Sequence, residues 1–312
     1  MGFSQGAGGD HLTAFSASEA FDAYEAVRHR LPDAGTSEQD YRHVGTLEDI
    51  AKDFDVFLLD AFGVLNIGDT AIPDTPARVA ALKASGKRVL VVSNAAGFPH
   101  ATLMEKYERL GYDFAPQDVI TSRATLLAGL NGQGRSHWGL MATRSAGLRD
   151  LEGLNLTYLE EDPAPYAAVD GFLMIGSAAW TDARQALLEK ALLERPRPVL
   201  VGNPDIVAPR EHGFSTEPGH FAHRLADRTG VTPEFFGKPF ANIYDLAFKR
   251  LGTVDKSRVL MVGDSLHTDI LGARSVGVAS ALVARFGFFA GQDVHAAIQA
   301  AGIVPDFVVD RP

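Results

Sequence analysis

The 312-residue sequence contains no cysteine, only two tryptophans and no apolar run that approaches the length of a membrane helix. Without thiols, a disulfide scaffold, a zinc–thiolate site, an iron–sulfur cluster and a cysteine nucleophile are all excluded. A membrane helix needs about 20 mostly apolar residues, and the N-terminus lacks the basic and apolar regions of a signal peptide. We therefore expect a soluble, cytoplasmic protein that has no membrane partner.

Positive charge is also scarce, since 29 Lys and Arg stand against 39 Asp and Glu and give a net charge of -10. A negatively charged protein does not attract nucleic acid, so we expect no nucleic-acid partner. A small anionic substrate remains compatible, because a pocket can be positive inside an acidic protein. Association into a homo-oligomer is left open by the sequence.

Short apolar runs alternate with amphipathic helical patterns from residue 46 onward, which is typical of an α/β fold with a parallel sheet. A middle segment has apolar strands and a long helix of its own, and residues 131–134 have the composition of a hinge. We predict two domains, the second inserted into the first, after an N-terminal extension: an extension of 1–45, a core of 46–135 and 232–312, and an inserted domain of 136–231.

The extension is expected to contain a mobile tail, residues 1–14, and one amphipathic helix. Ser16 and Glu19 have the spacing of a capping box, and apolar residues then recur at helical intervals until Pro32. Residues 33–45 are polar and irregular. The sequence therefore predicts no further element there and does not show where the helix docks.

Asp60 directly follows the apolar strand pattern 56–59. In parallel sheets ligands bind beyond the carboxyl ends of strands, where a carboxylate can be a nucleophile or a magnesium ligand. An Asp that caps the turn before Gly63 is an equally good interpretation of this segment alone. Ser93 and Asn94 end the next strand pattern and suit an oxyanion, although an ordinary turn is the simpler interpretation when they are taken alone.

Two more motifs lie far downstream. Lys238 precedes a proline, which restrains an ammonium that could hold an anionic nucleophile and its substrate. Asp264 ends a buried strand pattern and Asp269 follows five residues later. Carboxylates that meet at strand ends form an oxygen-rich site for a hard divalent ion, whereas an Asx turn and a helix N-cap are the structural alternative.

The spacing of these residues fits one arrangement. Asp60 and Ser93 are 33 residues apart, which leaves room for one helix and one strand, and Lys238 lies a further 145 residues on. From residue 50 to 310 the chain resembles the haloacid dehalogenase superfamily, specifically its class IIA phosphatases with a large α/β cap. The resemblance extends to residues 121–124, 203–205 and 272–277.

The resemblance implies a Rossmann-like core, an inserted class IIA cap, bound Mg²⁺ and hydrolysis through an aspartyl phosphate. By position, Asp60 resembles the nucleophile, and Ser93 with Asn94 the phosphate-binding residues. Lys238 resembles the cation that neutralises the nucleophile and the transferring group. The metal ligands implied are the carboxylates of Asp60 and Asp264 and the carbonyl of Phe62, with support from Asp269. The implied substrate is a small phosphorylated metabolite.

The sequence departs from the family at Phe62, where the phosphatases carry an Asp that acts as general acid and base. Losing such a group typically lowers the rate by about 10²–10⁴-fold. Two alternatives follow: a metal-independent 2-haloacid dehalogenase, whose halide leaves without a proton, and a catalytically weak ligand-binding or regulatory protein. We favour the phosphatase, because Asp264 indicates a metal site and the segment from Asp60 to Ser93 is too short for a dehalogenase insert.

The inserted domain is expected to select the substrate. Arg210 and His212 fall where related caps lean over the active site, so we predict that they contact the part of the substrate beyond its phosphate. Solvated loop residues are an equally good interpretation of both. Trp138 and Trp180 are expected in the core of the inserted domain, and His267 is expected to be an exposed loop residue.

Overall fold

The computed structural model describes residues 12–13, 15–33, 35, 40–130, 136–210 and 213–312. Most of their strands form two parallel sheets with helices around them, which confirms the predicted α/β fold. No helix within these ranges is long and apolar enough to span a bilayer. The predicted hinge at residues 131–134 lies outside the described residues.

The larger sheet has seven strands, and all of its neighbouring strands are parallel. In spatial order they are Arg42–Thr46, Phe307–Arg311, Ala279–Val283, Val259–Gly263, Val56–Leu59, Arg88–Ser93 and Val119–Thr121. Successive side chains of a strand point to opposite faces. Phe57 and Leu59 accordingly pack in one apolar cluster, whereas Val56 and Leu58 pack in another, so helices cover both faces.

The helices around this sheet follow the predicted alternation with its strands. They are Thr75–Ala84, His100–Arg109, Ser122–Leu130, Ala241–Leu251, Leu271–Val276 and Val294–Ala301. A turn of π-helix, Leu266–Ile270, precedes Leu271–Val276 where the sequence pattern predicts a single helix from about residue 268. A short antiparallel hairpin, Asn66–Ile67 and Thr70–Ala71, follows the first central strand.

The smaller sheet has five parallel strands: in spatial order, Glu234–Phe235, Val199–Val201, Gly171–Met174, His137–Met141 and Asn155–Tyr158. Its helices are Pro163–Ala168, Asp182–Glu194 and Pro218–Thr229. Trp138 and Trp180 are both buried in the apolar clusters of this sheet, as predicted. The sheet continues to Phe235, slightly past residue 231, and the division of the chain into domains at the stated boundaries stays a prediction.

The described part of the N-terminal extension contains two strands and a helix, and the predicted mobile tail, residues 1–14, lies largely outside the described residues. Leu12–Thr13 pairs with Phe214–Thr216 in a small antiparallel sheet that Val207–Pro209 completes. The capping box of Ser16 and Glu19 is present, but the helix is Ala17–Ala26 and ends before Pro32. Arg42–Thr46, within the segment predicted to be irregular, is an edge strand of the larger sheet. Edge pairing uses backbone groups, so a polar sequence gives little sign of it.

Candidate active site

Three adjacent strands of the larger sheet bring the predicted catalytic residues together. Asp60 follows the middle strand of the three, Asp264 follows the strand on one side, and Ser93 ends the strand on the other side. Parallel strands place their carboxyl ends at the same edge, so residues distant in sequence converge there. All three line a single cavity of about 1310 Å³.

Lys238 connects two of the carboxylates. Its Nζ donates to Asp60 Oδ1 at 2.6 Å and to Asp269 Oδ1 at 2.7 Å, although the side chain is only 2% exposed. Burial lowers the pKa of Lys238, but the charges of Asp269 and Asp60 outweigh burial and raise it above its usual value. The ammonium therefore stays charged and fixes the orientation of Asp60.

Asp269 uses both of its carboxylate oxygens inside the protein. Oδ1 accepts from Lys238, and Oδ2 accepts the backbone N–H groups of Asp264 and Ser265 at 3.1 Å each. The side chain is fully buried. This arrangement fits the supporting role that the sequence predicts for Asp269, because the carboxylate holds the loop that carries Asp264.

Asp264 lies in a tight backbone cradle. Its Oδ2 accepts the N–H of Phe288 at 2.8 Å. Gly63 and Gly287 have φ values of +74° and +70°, and a Cβ added to either would overlap the carboxylate of Asp264. Glycine is therefore required at both positions by backbone conformation and by space.

The three carboxylates leave the site short of positive charge. One ligand oxygen from each of Asp60, Asp264 and Asp269 lies within 4.8 Å of the others, and Lys238 is the cation that contacts two of them. Burial raises the pKa of Asp60 to about 6, with Lys238 opposing and Asp269 adding to the rise. Burial also raises the pKa of Asp264 well above its usual value, and the charge of Asp60 adds to this.

Ser93 and Asn94 both line the cavity, but the side chain of Asn94 is fully engaged within the protein. Its Oδ1 accepts from the backbone N–H of Lys238 and from Ser122, and its Nδ2 donates to Asp205 and to the carbonyl of Lys238. The Ser93 Oγ accepts the N–H of Ala95, which leaves its own hydroxyl proton free to donate to a ligand. The predicted phosphate contact by Asn94 would therefore use its backbone.

Phe62 lies beneath two cations. Lys106 Nζ is 5.1 Å and Arg210 Cζ is 5.3 Å from the centroid of its ring, and all three residues line the cavity. Arg210 thus lines the same cavity, and its contact with the substrate stays a prediction, whereas His212 lies outside the described residues. Sequence reasoning missed Lys106, because its approach to Phe62 depends on tertiary packing.

The N-terminal helix forms part of the cavity wall through Tyr24. The Tyr24 hydroxyl accepts the N–H of Ile206, and the ring stacks on His267 with centroids 5.1 Å apart. The prediction of an exposed His267 is wrong: the residue is 1% exposed and its Nε2 lies 2.5 Å from Glu25. The helix covers it, and the sequence did not reveal where the helix docks.

Family models match two parts of the chain. Residues 57–151 match a model described as haloacid dehalogenase-like hydrolase, and residues 235–311 match one described as HAD-hydrolase-like. The two segments together make up more than half of the chain. The chain therefore belongs to the haloacid dehalogenase superfamily of hydrolases. The position of the second sheet, between Ser93 and Lys238, agrees with the class IIA subfamily, and the predicted resemblance is confirmed.

Individual relatives share this architecture. An acid sugar phosphatase of Staphylococcus aureus is 26% identical over 227 residues, which are 73% of this chain and 85% of the relative. A structure described as a possible sugar phosphatase of Cytophaga hutchinsonii has a TM-score of 0.74 and 22% identity, over 89% of this chain and 98% of its own. A glycerol phosphate phosphatase of Mycobacterium tuberculosis in complex with magnesium has a TM-score of 0.67 and 22% identity, over 83% and 75%. These structures confirm a Rossmann-like core with an inserted cap.

Proposed function

We propose that the chain is a Mg²⁺-dependent phosphatase that hydrolyses a small phosphorylated metabolite through an aspartyl phosphate on Asp60. The observation that carries the proposal is the position of Asp60: its carboxylate lines a large cavity and is held by Lys238 at 2.6 Å, within a cluster that includes Asp264. Relatives named as phosphatases support the same reaction class.

In the proposed mechanism, an Asp60 carboxylate oxygen attacks phosphorus and displaces the substrate oxygen. Lys238 orients this carboxylate and offsets negative charge as the phosphoryl group approaches. The Ser93 hydroxyl and the backbone N–H of Asn94 donate to phosphoryl oxygens. Water then attacks the aspartyl phosphate and releases inorganic phosphate, which regenerates the Asp60 carboxylate.

The donor set fits a hard divalent cation. Asp60 and Asp264 supply carboxylate oxygens, the ligand type that Mg²⁺ prefers, and we propose the carbonyl of Phe62 as a further ligand. Asp269 is held by hydrogen bonds at both of its oxygens, so we propose that it supports the site and that Asp60 and Asp264 supply the carboxylate ligands. When bound, the ion would supply positive charge that screens the attacking carboxylate from the phosphoryl oxygens.

Phe62 limits which substrates can react well. Its ring can neither protonate a leaving oxygen nor take a proton from the attacking water. A poor leaving group such as an alkoxide should therefore depart slowly, by about 10²–10⁴-fold relative to an enzyme with a general acid. We expect turnover to be fastest with leaving groups that need no proton.

The test is phosphate release from p-nitrophenyl phosphate, whose leaving group departs unprotonated. We expect turnover with Mg²⁺ and none with EDTA, and Asp60→Asn should lower kcat by at least about 10³-fold. Asp245→Asn, an exposed carboxylate on the helix Ala241–Leu251, is the matched control and should retain full activity. Activity that persists in Asp60→Asn would contradict the proposal.

Two other functions are separated by the same assays. A dehalogenase would release chloride from 2-chloropropionate without metal, whereas the carboxylate of Asp264 beside Asp60 favours a metal site. A ligand-binding protein is favoured by the absence of an acid at Phe62 and by an N-terminal helix that the family motifs do not explain. It would bind inorganic phosphate, measured by calorimetry, and release none from any ester in a panel.

A further inference from the structure

Two cationic side chains approach the ring of Phe62 although the protein as a whole is acidic. Lys106 comes from the last turn of the helix His100–Arg109, and Arg210 follows the strand Val207–Pro209. Both cationic groups are within about 6 Å of the ring centroid, the range of a cation–π interaction. Two distant parts of the chain thus place a cation over the same ring.

Each of these two cations has one carboxylate partner. Lys106 Nζ lies 3.2 Å from Asp69, whose carboxylate is 91% exposed, and Arg210 lies 3.0 Å from Glu217. Arg109 also lines the cavity and makes no ion pair with any residue that the structure describes. This wall of the cavity therefore carries three cationic side chains, of which two are paired with carboxylates.

The cations also act on one another. Burial lowers the pKa of Lys106, the carboxylate of Asp69 opposes this, and the charges of Arg210 and Arg109 lower it further. A bound anion would relieve this repulsion. The carboxylates of Asp60 and Asp264, in contrast, attract a cation, so we expect the cavity to have a metal-binding region and a separate anion-binding region.

We infer that Lys106, Arg109 and Arg210 form a subsite for an anionic leaving group, and that the substrate is a phosphoanhydride: an acyl phosphate or a diphosphate. This inference rests on the proposed function. Both substrate types lose a leaving group, carboxylate or phosphate, that departs with its negative charge and needs no proton. The cations around Phe62 stabilise that charge where a general acid would otherwise donate a proton.

The bonds and charges of the reaction balance without an acid. An Asp60 oxygen bonds to phosphorus while the bond from phosphorus to the bridging oxygen breaks, and the electron pair stays on the departing carboxylate or phosphate. Water next bonds to the same phosphorus and gives a hydrogen to the phosphate product. Asp60 leaves as a carboxylate, and H₂PO₄⁻ is released.

The experiment compares kcat/KM for acetyl phosphate and pyrophosphate with that for glycerol 3-phosphate, in the full chain with saturating Mg²⁺. Because anhydrides are intrinsically more reactive, the readout is the change in the anhydride-to-ester ratio caused by mutation. Lys106→Gln and Arg210→Gln should each lower this ratio by about 10- to 100-fold, and Lys106→Arg should retain it. The anhydride that loses more identifies the departing group as carboxylate or phosphate.

Lys87→Gln is the matched control. Lys87 is 17% exposed and Lys106 is 19% exposed, and each pairs with an Asp carboxylate and donates to a backbone carbonyl. Lys87 does not line the cavity, so Lys87→Gln should leave the anhydride-to-ester ratio unchanged. Thermal unfolding of the variants separates a loss of fold from a loss of the subsite.

An unchanged ratio in both Lys106→Gln and Arg210→Gln overturns the subsite, even if the chain is a phosphatase. No phosphate release from any compound, p-nitrophenyl phosphate included, overturns the proposed function and the subsite together. A lowered ratio in Lys106→Gln and Arg210→Gln, with an unchanged ratio in Lys87→Gln, supports the proposed function and the subsite.

Discussion

Replacing His223 should remove a measurable part of the acid sensitivity of this protein. His223 lies on the helix Pro218–Thr229, is 4% exposed, and stacks on Phe235 with ring centroids 4.9 Å apart. Its Nδ1 has no hydrogen-bond partner among the described residues. Burial, with the positive charge of Arg30 adding to it, lowers the pKa of His223 to about 4. A protonated imidazole is therefore disfavoured in the folded state.

The sign and size of the effect follow from linkage. Between about pH 4 and pH 6.5 the unfolded chain binds a proton at His223 and the folded chain does not, so stability rises with pH across this window. A full shift from 6.5 to about 4 corresponds to about 3 kcal/mol. The part of this window that is easily measured lies between pH 7 and pH 5. On going from pH 7 to pH 5, we expect His223 to lower the free energy of unfolding by about 2 kcal/mol.

The assay is urea unfolding of the wild type, His223→Phe and His223→Gln at pH 5 and pH 7. Neither replacement titrates. On going from pH 7 to pH 5, the free energy of unfolding of both variants should therefore fall by about 2 kcal/mol less than that of the wild type. His223→Gln should be the less stable variant at both pH values, since its buried amide lacks partners. Equal pH dependence in all three proteins would refute the reasoning.

Two further predictions concern the cradle of Asp264 and the N-terminal helix. Gly287→Ala should weaken divalent-cation binding by at least about tenfold in calorimetry, because its Cβ overlaps the Asp264 carboxylate. Gly291→Ala, at φ +75° but in open space, carries the same backbone strain and should bind the ion normally; equal losses in both would contradict the overlap argument. Tyr24→Phe should lower the free energy of unfolding by about 1–3 kcal/mol in urea, because the buried N–H of Ile206 loses its acceptor. An unchanged value would show that another group accepts this N–H.

The sequence predicted those parts of the fold and site that depend on strand ends. Asp60, Ser93 and Asp264 follow apolar runs, and parallel strands place such ends at one edge, so their convergence could be expected. The strand Arg42–Thr46 was missed because edge pairing needs no apolar pattern. The burial of His267 was missed because it depends on the docking of the N-terminal helix.

The expected role of Phe62 also depends on neighbours that only the fold brings to it. From the sequence alone, Phe62→Asp appears to restore a missing general acid. In the structure, position 62 lies close to the cations of Lys106 and Arg210, whose charges would keep a new carboxylate ionised and lower its pKa. An ionised carboxylate cannot donate a proton, and it would also neutralise the cations that we propose for the leaving group. The aromatic ring keeps these cations available, because its face attracts them without cancelling their charge. In the proposed subsite, Phe62 is therefore one part of an electrostatic arrangement rather than the loss of a catalytic group.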